Sequence, residues 1–321
     1  MVCKIAIGKI ETEYVTSVTT KQSFKDLADT ATIVLPREYR SAKIAGRTDT
    51  FERKNIKDLI KVGDVVTIQL GYDNRLKSVF KGYVKRISAD IPLTIECEDE
   101  MFQLRKSNFT ESFKSIKLLE LLKKIAPNYE YEVIDNIDLG KFIIEHSSAY
   151  EVLEALRKDY LMHASFKDKK LIVGFPTDLK PQNNHTFNVD YMRSADSLEF
   201  VSKDDMKLEI KAISNNSDGT KKVVTVGESG GSTRTLNFAN KSEKELEDLA
   251  KKQLETLHFD GFQGSFDSIG EPYVMVGDAV TIKDKNYPNS ERDGKYLVEA
   301  VERNFEKGTG YKQTIKLSVK L

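Results

Sequence analysis

The chain has 321 residues, with fifty basic and fifty acidic side chains that cancel, and 39 % of its residues are hydrophobic. That length allows two or three domains with sizeable cores, and the charge balance leaves no global field to draw in nucleic acid or an anionic membrane. No apolar run approaches the roughly eighteen residues of a membrane span. The start, Met1-Val2-Cys3-Lys4-Ile5, lacks the apolar core of a signal peptide.

Residues 1–36 read as strands rich in β-branched residues: Lys4–Ile7, Tyr14–Thr19 and Thr30–Leu35, bounded by Gly8 and Pro36. Residues 37–61 lack clear periodicity and carry Arg37, Arg40, Lys43, Arg47, Arg53, Lys54, Lys57 and Lys61. A long exposed connection is expected there, and such connections tend to be functional. After Gly63-Asp64 the strand pattern resumes. Val66, Ile68 and Leu70 alternate with Val65, Thr67 and Gln69, so one face is apolar. Strands at Val79–Ile87 and Leu93–Cys97 complete a first module over residues 1–100.

The middle differs. Ser115 precedes an amphipathic helix, Ile116–Ile125, closed near Pro127. A strand at Tyr129–Ile134 follows. Ser148-Ala149-Tyr150-Glu151 is a capping box that opens a helix through Val152, Leu153, Leu156 and Leu161. With strands at Lys169–Val173 and Thr186–Val189, residues 101–190 read as a small α+β insertion. The last part, 191–321, has strands at Met206–Ile213 and Lys221–Val226 around Asp218-Gly219, then a flexible loop at Glu228-Ser229-Gly230-Gly231-Ser232. A second capping box, Ser242-Lys244-Glu245 with Glu243 between, opens a helix over about 242–258, and strands run on to Leu321.

Few residues suggest chemistry. The two cysteines, Cys3 and Cys97, make no disulfide framework; Cys97 lies in a strand-like run and reads as a small core hydrophobe. A reducing cytoplasm is the expected place of synthesis. His146, His163, His185 and His258 form no local metal pair, and His163 and His258 lie near expected helix ends, where an imidazole complements the dipole. Glu96, Glu98, Asp99 and Glu100 lack the oxygen spacing of a calcium loop, so a strand end with solvated charges is expected. Gly227–Gly231 has no GK[ST] after it and is no phosphate loop. No strand face interleaves basic and aromatic residues, and Glu38, Asp49, Glu52 and Asp58 offset the basic connection, so protein contact or plain solvation is favoured there over nucleic acid. No catalytic residues, cofactor or metal are assigned, and the reading is non-enzymatic.

One pattern organises the rest. Val62-Gly63-Asp64-Val65-Val66-Thr67-Ile68 returns as Val276-Gly277-Asp278-Ala279-Val280-Thr281-Ile282, a separation of 214 from 62 to 276. Thr94-Ile95-Glu96-Cys97 answers Thr314-Ile315-Lys316-Leu317 at 220, so a few residues are inserted. A tyrosine lies between the landmarks in each copy, Tyr83 and Tyr296. This is one β-module used twice, the signature of a symmetric building part.

With Asp29–Pro36, Phe80-Lys81-Gly82, Glu98-Asp99, Gly270-Glu271-Pro272, Asp293–Val298 and Gly310–Ile315, these landmarks resemble the baseplate hub proteins of long-tailed phages, the late-control D-type tail proteins. More distantly they are similar to the hub portion of type VI secretion spikes. The resemblance implies a mainly β, α+β fold: two related tail-tube-like β-barrels (1–100 and 191–321), an inserted α+β domain (101–190) and a linking helix. It implies a homotrimeric ring whose six similar barrels adapt a hexameric tail tube to a trimeric central spike. Expected partners are the tube protein, the spike, and also tape-measure and other baseplate proteins, with no membrane and no specific nucleic-acid binding. The expected location is the virion tail baseplate, assembled in the bacterial host cytoplasm. Gly63, Asp64, Gly277 and Asp278 would be turn formers. Arg40, Lys43, Arg47, Arg53, Gly230 and Gly231, in 37–61 and 227–233, would be assembly-loop residues. Fused spike proteins continue into further domains that this sequence lacks, so spike and hydrolase would be separate proteins. Alternatives are the hub of a phage-derived contractile injection or type VI-like machine and, from another class, a cell-wall or carbohydrate-processing enzyme, for which no acid/base pair can be picked out.

Overall fold

The strands that the alternation marks do form, but they are shared out by topology rather than by chain order. The computed structural model describes the chain except residues 36–40, 45–46, 51–55, 74, 89–91, 135, 161, 175–179 and 216–219, and the side chains of 41–44, 47–50, 56–57, 215, 237 and 239. Two compact units result. Unit 1 gathers Met1–Gln103, Asp267–Val276 and Ala300–Ile315; unit 2 gathers Leu104–Phe266, Gly277–Glu299 and Lys316–Leu321. This division differs from a sequential split at residues 100 and 190, because segments from the end of the chain belong with its beginning.

In unit 1 the strands are β1 (Val2–Ile7), β2 (Ile10–Thr12), β3 (Ser17–Ser23), β4 (Thr30–Leu35), β5 (Ser41–Ile44), β6 (Arg47–Thr50), β7 (Val65–Tyr72), β8 (Arg75–Ile87) and β9 (Leu93–Glu98). They order as β3-β4-β9-β8-β7-β1-β2-β5-β6. Alternate residues point inward, so Cys3, Ile5 and Ile7 of β1 meet Val66, Ile68 and Leu70 of β7 in one core with Ala31, Ile33, Leu35, Leu93 and Ile95. Burying each of the valine, leucine and isoleucine side chains among them contributes about 1.5–3 kcal/mol. The segment 37–61, read as a bare connection, contains the β5–β6 hairpin, in which Ser41 pairs with Thr50, and β5 pairs with β2. The hairpin joins the sheet through β2, with Ile10 opposite Ile44 and Glu11 opposite Lys43, a pairing that local periodicity does not reveal.

Unit 1's first segment ends within α1 (Met101–Leu104), and unit 2 then holds β10 (Phe109–Phe113), α2 (Leu118–Ile125), β11 (Glu130–Val133), β12 (Phe142–Ser147), α3 (Ala149–Tyr160), β13 (His163–Lys167) and β14 (Lys170–Gly174). The sheets here are small, β10-β12 and β11-β14-β13. Helix α2 buries Leu118, Leu121, Leu122 and Ile125. Its first turn is met from the segment after β11: Asn136 Oδ1 accepts from the Leu119 N–H at 2.9 Å, while Ser115 donates to Asp138 at 3.0 Å. The Ser148–Glu151 box opens α3 as the sequence indicates, with Glu151 accepting the Ser148 N–H at 2.7 Å.

Then come β15 (Asn184–Asn188), β16 (Leu198–Val201), β17 (Leu208–Asn215), β18 (Lys221–Gly227), β19 (Ser232–Ala239), α4 (Glu243–Leu257), β20 (Gly261–Ile269), β21 (Ala279–Lys283), β22 (Gly294–Glu306) and β23 (Gly310–Lys320). Strands β18-β17-β19 form a sheet of their own, and α4 lays Leu246 and Ala250 on Ile210 and Ala212. The rest order as β16-β20-β23-β22, with β21 between β22 and β15.

The strand map therefore repeats. The run β3-β4-β9-β8-β7-β1 matches β16-β20-β23-β22-β21-β15, in the same chain order. Along the chain, the first copy carries the β5–β6 hairpin between β4 and β7, and the second carries β17–α4 between β16 and β20. One difference is polarity at the edge: β1 is antiparallel to β7, whereas β15 is parallel to β21. The class is mainly β with α+β, as expected. Among the described residues, however, the runs are open from edge to edge and not closed barrels.

Candidate assembly surface

The two Gly-Asp turns have one geometry. Gly63 and Gly277 take φ of +92° and +86°, a region that glycine enters without a Cβ penalty. In the first copy the Gly63 N–H donates to the Val84 carbonyl at 2.8 Å and the Val84 N–H to the Asp64 carbonyl at 2.9 Å. In the second the same bonds join Gly277, Val298 and Asp278 at 3.0 and 2.9 Å. Each turn is thus pinned by two bonds to the second strand after it, β8 or β22.

That pinning sets the alignment. Val65 faces Tyr83 and Val66 faces Gly82 in the first copy; Ala279 faces Leu297 and Val280 faces Tyr296 in the second. Tyr296 therefore corresponds to Gly82, not to Tyr83, and the paired tyrosines of the sequence reading are one residue out of register. A one-residue slip moves a side chain to the other face: Tyr296 is fully buried and Tyr83 half-buried. Gly294 corresponds to Phe80 by the same pairing. Each copy thus carries one aromatic and one glycine two residues apart on the inward face, in opposite order. The Phe80 ring lies over Gly82, and the Tyr296 ring lies over Gly294, so a Cβ on either glycine would collide with its ring.

The aspartates have diverged. Asp64 Oδ2 accepts the Lys61 N–H at 2.8 Å within its own turn. Asp278 is buried and holds β15, with Asn183 Nδ2 at 3.0 Å and His185 Nε2 at 3.2 Å.

Of the residues expected in assembly loops, Arg40 and Arg53 lie outside the described residues. Lys43 and Arg47 fall on β5 and β6, and their side chains are outside the description. Gly230 takes φ of +84° with open space around it, but Gly231 sits against the Lys207 backbone. The Glu228 N–H donates to Leu208 at 3.0 Å and the Ser232 N–H to Lys207 at 2.9 Å, so this turn is tied at both ends to the start of β17.

The carboxylates at the end of β9 are not solvated as their charge suggests. Glu98, Asp99 and Glu100 are all buried, because β9 runs straight into α1 and Asp99 Oδ1 caps it on the Met101 N–H at 3.0 Å. Lys85 meets Glu98 at 2.9 Å and the Tyr83 hydroxyl donates to Glu100 at 3.1 Å. Burial pushes the Asp29 carboxyl up to about 6, against the pull of the Gln22 hydrogen bond and Arg303. Burial, with Asp29 beside it, raises Asp99 well above the ordinary carboxylate range. Arg303 itself is fully buried, donating to Gln22 Oε1 at 2.7 Å and to the Val274 carbonyl, with the Tyr273 ring 4.4 Å away.

No described cluster of three His, Cys, Asp or Glu residues could hold a metal. Burial lifts both thiols to about 12, far from a thiolate nucleophile. His258 caps α4, its ring 2.8 Å from the Lys203 carbonyl, whereas His163 opens β13. A polar cleft of about 290 Å³ is lined by Arg105, Ser107, Asn108, His146, Ser148 and Glu151. Among the described lining residues Glu151 is the one carboxylate, and it is committed to the Ser148 backbone and hydroxyl, which hold it below the usual range.

Against known structures, the chain matches a tail protein from Neisseria meningitidis at TM-score 0.63 and 16 % identity, covering 100 % of this chain and 96 % of that one. The chain has the fold of phage tail proteins. A prophage MuSo2 43 kDa tail protein from Shewanella oneidensis matches this tail-protein fold at TM-score 0.62 and 14 % identity, over 99 % and 98 % of the two chains. A type VI secretion component of E. coli matches at 0.60 and 7 % identity, over 98 % and 76 %. No protein-family model and no curated protein sequence matches.

Proposed function

We propose that the chain is a structural baseplate hub of a phage tail, a homotrimeric ring that adapts a hexameric tube to a trimeric spike. The observation that carries this reading is the repeated strand run with its pinned Gly-Asp turn, in a fold shared end to end with phage tail proteins. Two similar modules per chain give six per trimer, so a pseudo-sixfold face for the tube coexists with a true threefold for the spike. Gly63, Asp64, Gly277 and Asp278 act as turn formers in this reading. Tube contact falls to the 37–61 and 227–233 loops. Tape-measure and other baseplate proteins are further partners, the work is assembly and not catalysis, and the place is the virion tail. The test is electron microscopy of the purified chain: a threefold ring with a central hole is expected, and dispersed monomers that also fail to bind tube or spike protein count against it.

The likeness to the E. coli type VI secretion component favours a second reading, the hub of a phage-derived injection machine. Neighbouring capsid and terminase genes in the source genome decide for the phage, and their absence for the machine.

A further inference from the structure

The six residues inserted between the two echoes have a place. The bonds at Val84 and Val298 keep the 214 spacing, and Ile95 and Ile315 show 220, so the addition lies wholly in the β22–β23 hairpin. The lengthened part is Ala300–Ile315, the segment that belongs to unit 1. Its outer strand pairs antiparallel with β3 over seven residues, from Ala300 opposite Ser23 to Glu306 opposite Ser17. Within one chain, the second module's hairpin therefore grips the first module's leading strand.

The strand equivalent to β3 is β16, and each pairs antiparallel with its successor, β4 or β20. β16 is four residues long, and among the described residues no strand pairs its other side. The hairpin equivalent to β22–β23 is β8–β9. Its β7 register ends at Tyr83, and past the Val84 anchor β8 runs on only through Lys85, Arg86 and Ile87, closing where the Ser88 N–H meets Thr94 at 2.8 Å. A short hairpin tip thus corresponds to a short strand, as the long hairpin corresponds to the long β3.

We propose that the β8–β9 tip, residues 85–88, of one copy pairs antiparallel with β16, Leu198–Val201, of a second copy of this chain. The occupant is a second copy because the in-chain junction already shows what this hairpin type binds: the leading strand of the next module. Repeating that junction between chains alternates the two joins, and such a head-to-tail contact closes into a ring when each step repeats one rotation. Backbone pairing supplies the contact without a sequence motif and covers an edge that would otherwise invite aggregation. The proposal rests on the ring reading above.

Directly paired strand residues bring Cα atoms within disulfide range, and Cys3 and Cys97 are buried. The test oxidises full-length double variants that combine Arg86→Cys or Ile87→Cys with Leu198→Cys, Glu199→Cys, Phe200→Cys or Val201→Cys in turn. A covalent trimer in at least one combination, absent from every single variant and lost on reduction, is expected. If the unmodified chain is trimeric by native mass spectrometry and no combination cross-links, this junction is overturned while the ring stands. A covalent product that stops at the dimer on complete oxidation also overturns it. A chain that stays monomeric at all concentrations removes the ring reading and the junction with it.

Discussion

Glycines and carboxylates are the residues that this fold constrains most. Gly63 and Gly82 lie in the same module but are constrained for different reasons. A Cβ at Gly63 meets nothing, so Gly63→Ala carries only the conformational cost of a positive φ, about 1–2 kcal/mol. A Cβ at Gly82 collides with the Glu98 carbonyl and the Asp99 Cα, backbone atoms that cannot step aside. Thermal unfolding should therefore show a modest loss for Gly63→Ala and a clearly larger one for Gly82→Ala; equal losses would deny the close strand approach. The Asp29–Asp99 pair makes a second case. Both carboxyls keep their protons in the folded chain to a higher pH than in the unfolded one, Asp29 to about 6. Their stabilising contribution is thus present below the unfolded carboxylate range, near pH 4, and is lost as pH rises through about 6. Asp99→Asn retains an oxygen for the Met101 N–H and removes one charge. The Tm difference, variant minus parent, should grow from pH 4 to pH 7, and a flat difference would remove the pair from the pH response.

Among the elements, helix α4 shows how local chemistry and packing divide the work. Ser242 and Glu245 exchange both bonds of the capping box, and the buried face is narrow, Leu246 and Ala250. Ser242→Ala should cost about 1 kcal/mol. Because α4 rests on β17–β19 alone in its core cluster, faster hydrogen exchange should be confined to α4 and that sheet. Exchange that also quickens in β3 would show that the layer is not separable. The long hairpin behaves differently. Lys21 pairs with Glu302 at 3.2 Å and Thr19 donates to Asn304 at 2.7 Å, and Arg303 sits between them with Gln22. These contacts join residues about 280 positions apart, so β3 and the hairpin tip belong to one cooperative piece of unit 1.

For the whole molecule, duplication explains more than any single site does. Two copies of one strand run, with different insertions, let one chain present related but unequal surfaces. If tube contact falls to the 37–61 loop, the paired change Arg40→Glu with Arg53→Glu should abolish co-sedimentation of hub and tube while leaving the oligomeric state and Tm unchanged. Assembly that survives this reversal assigns tube contact elsewhere.

Local periodicity and capping determined much of this by themselves. The alternation of Val66, Ile68 and Leu70, the boxes at Ser148 and Ser242, and the Gly-Asp repeat all depend on neighbours within a few residues, so they are legible in one dimension. The placement of β5 beside β2 and of β10 beside β12, each through partners roughly thirty positions away, is not. Neither is the burial of Glu98, Asp99 and Glu100, which depends on where β9 ends and what closes over it. The tyrosine match failed for the same reason: spacing alone cannot say which residue faces Val66 or Val280, and the turn-pinning bonds decide it. Most of all, the sequence shows an insertion between the two echoes but not its use. Only tertiary structure assigns those residues to β3, because pairing across almost the whole chain is a property of strand edges in space and leaves no periodic trace.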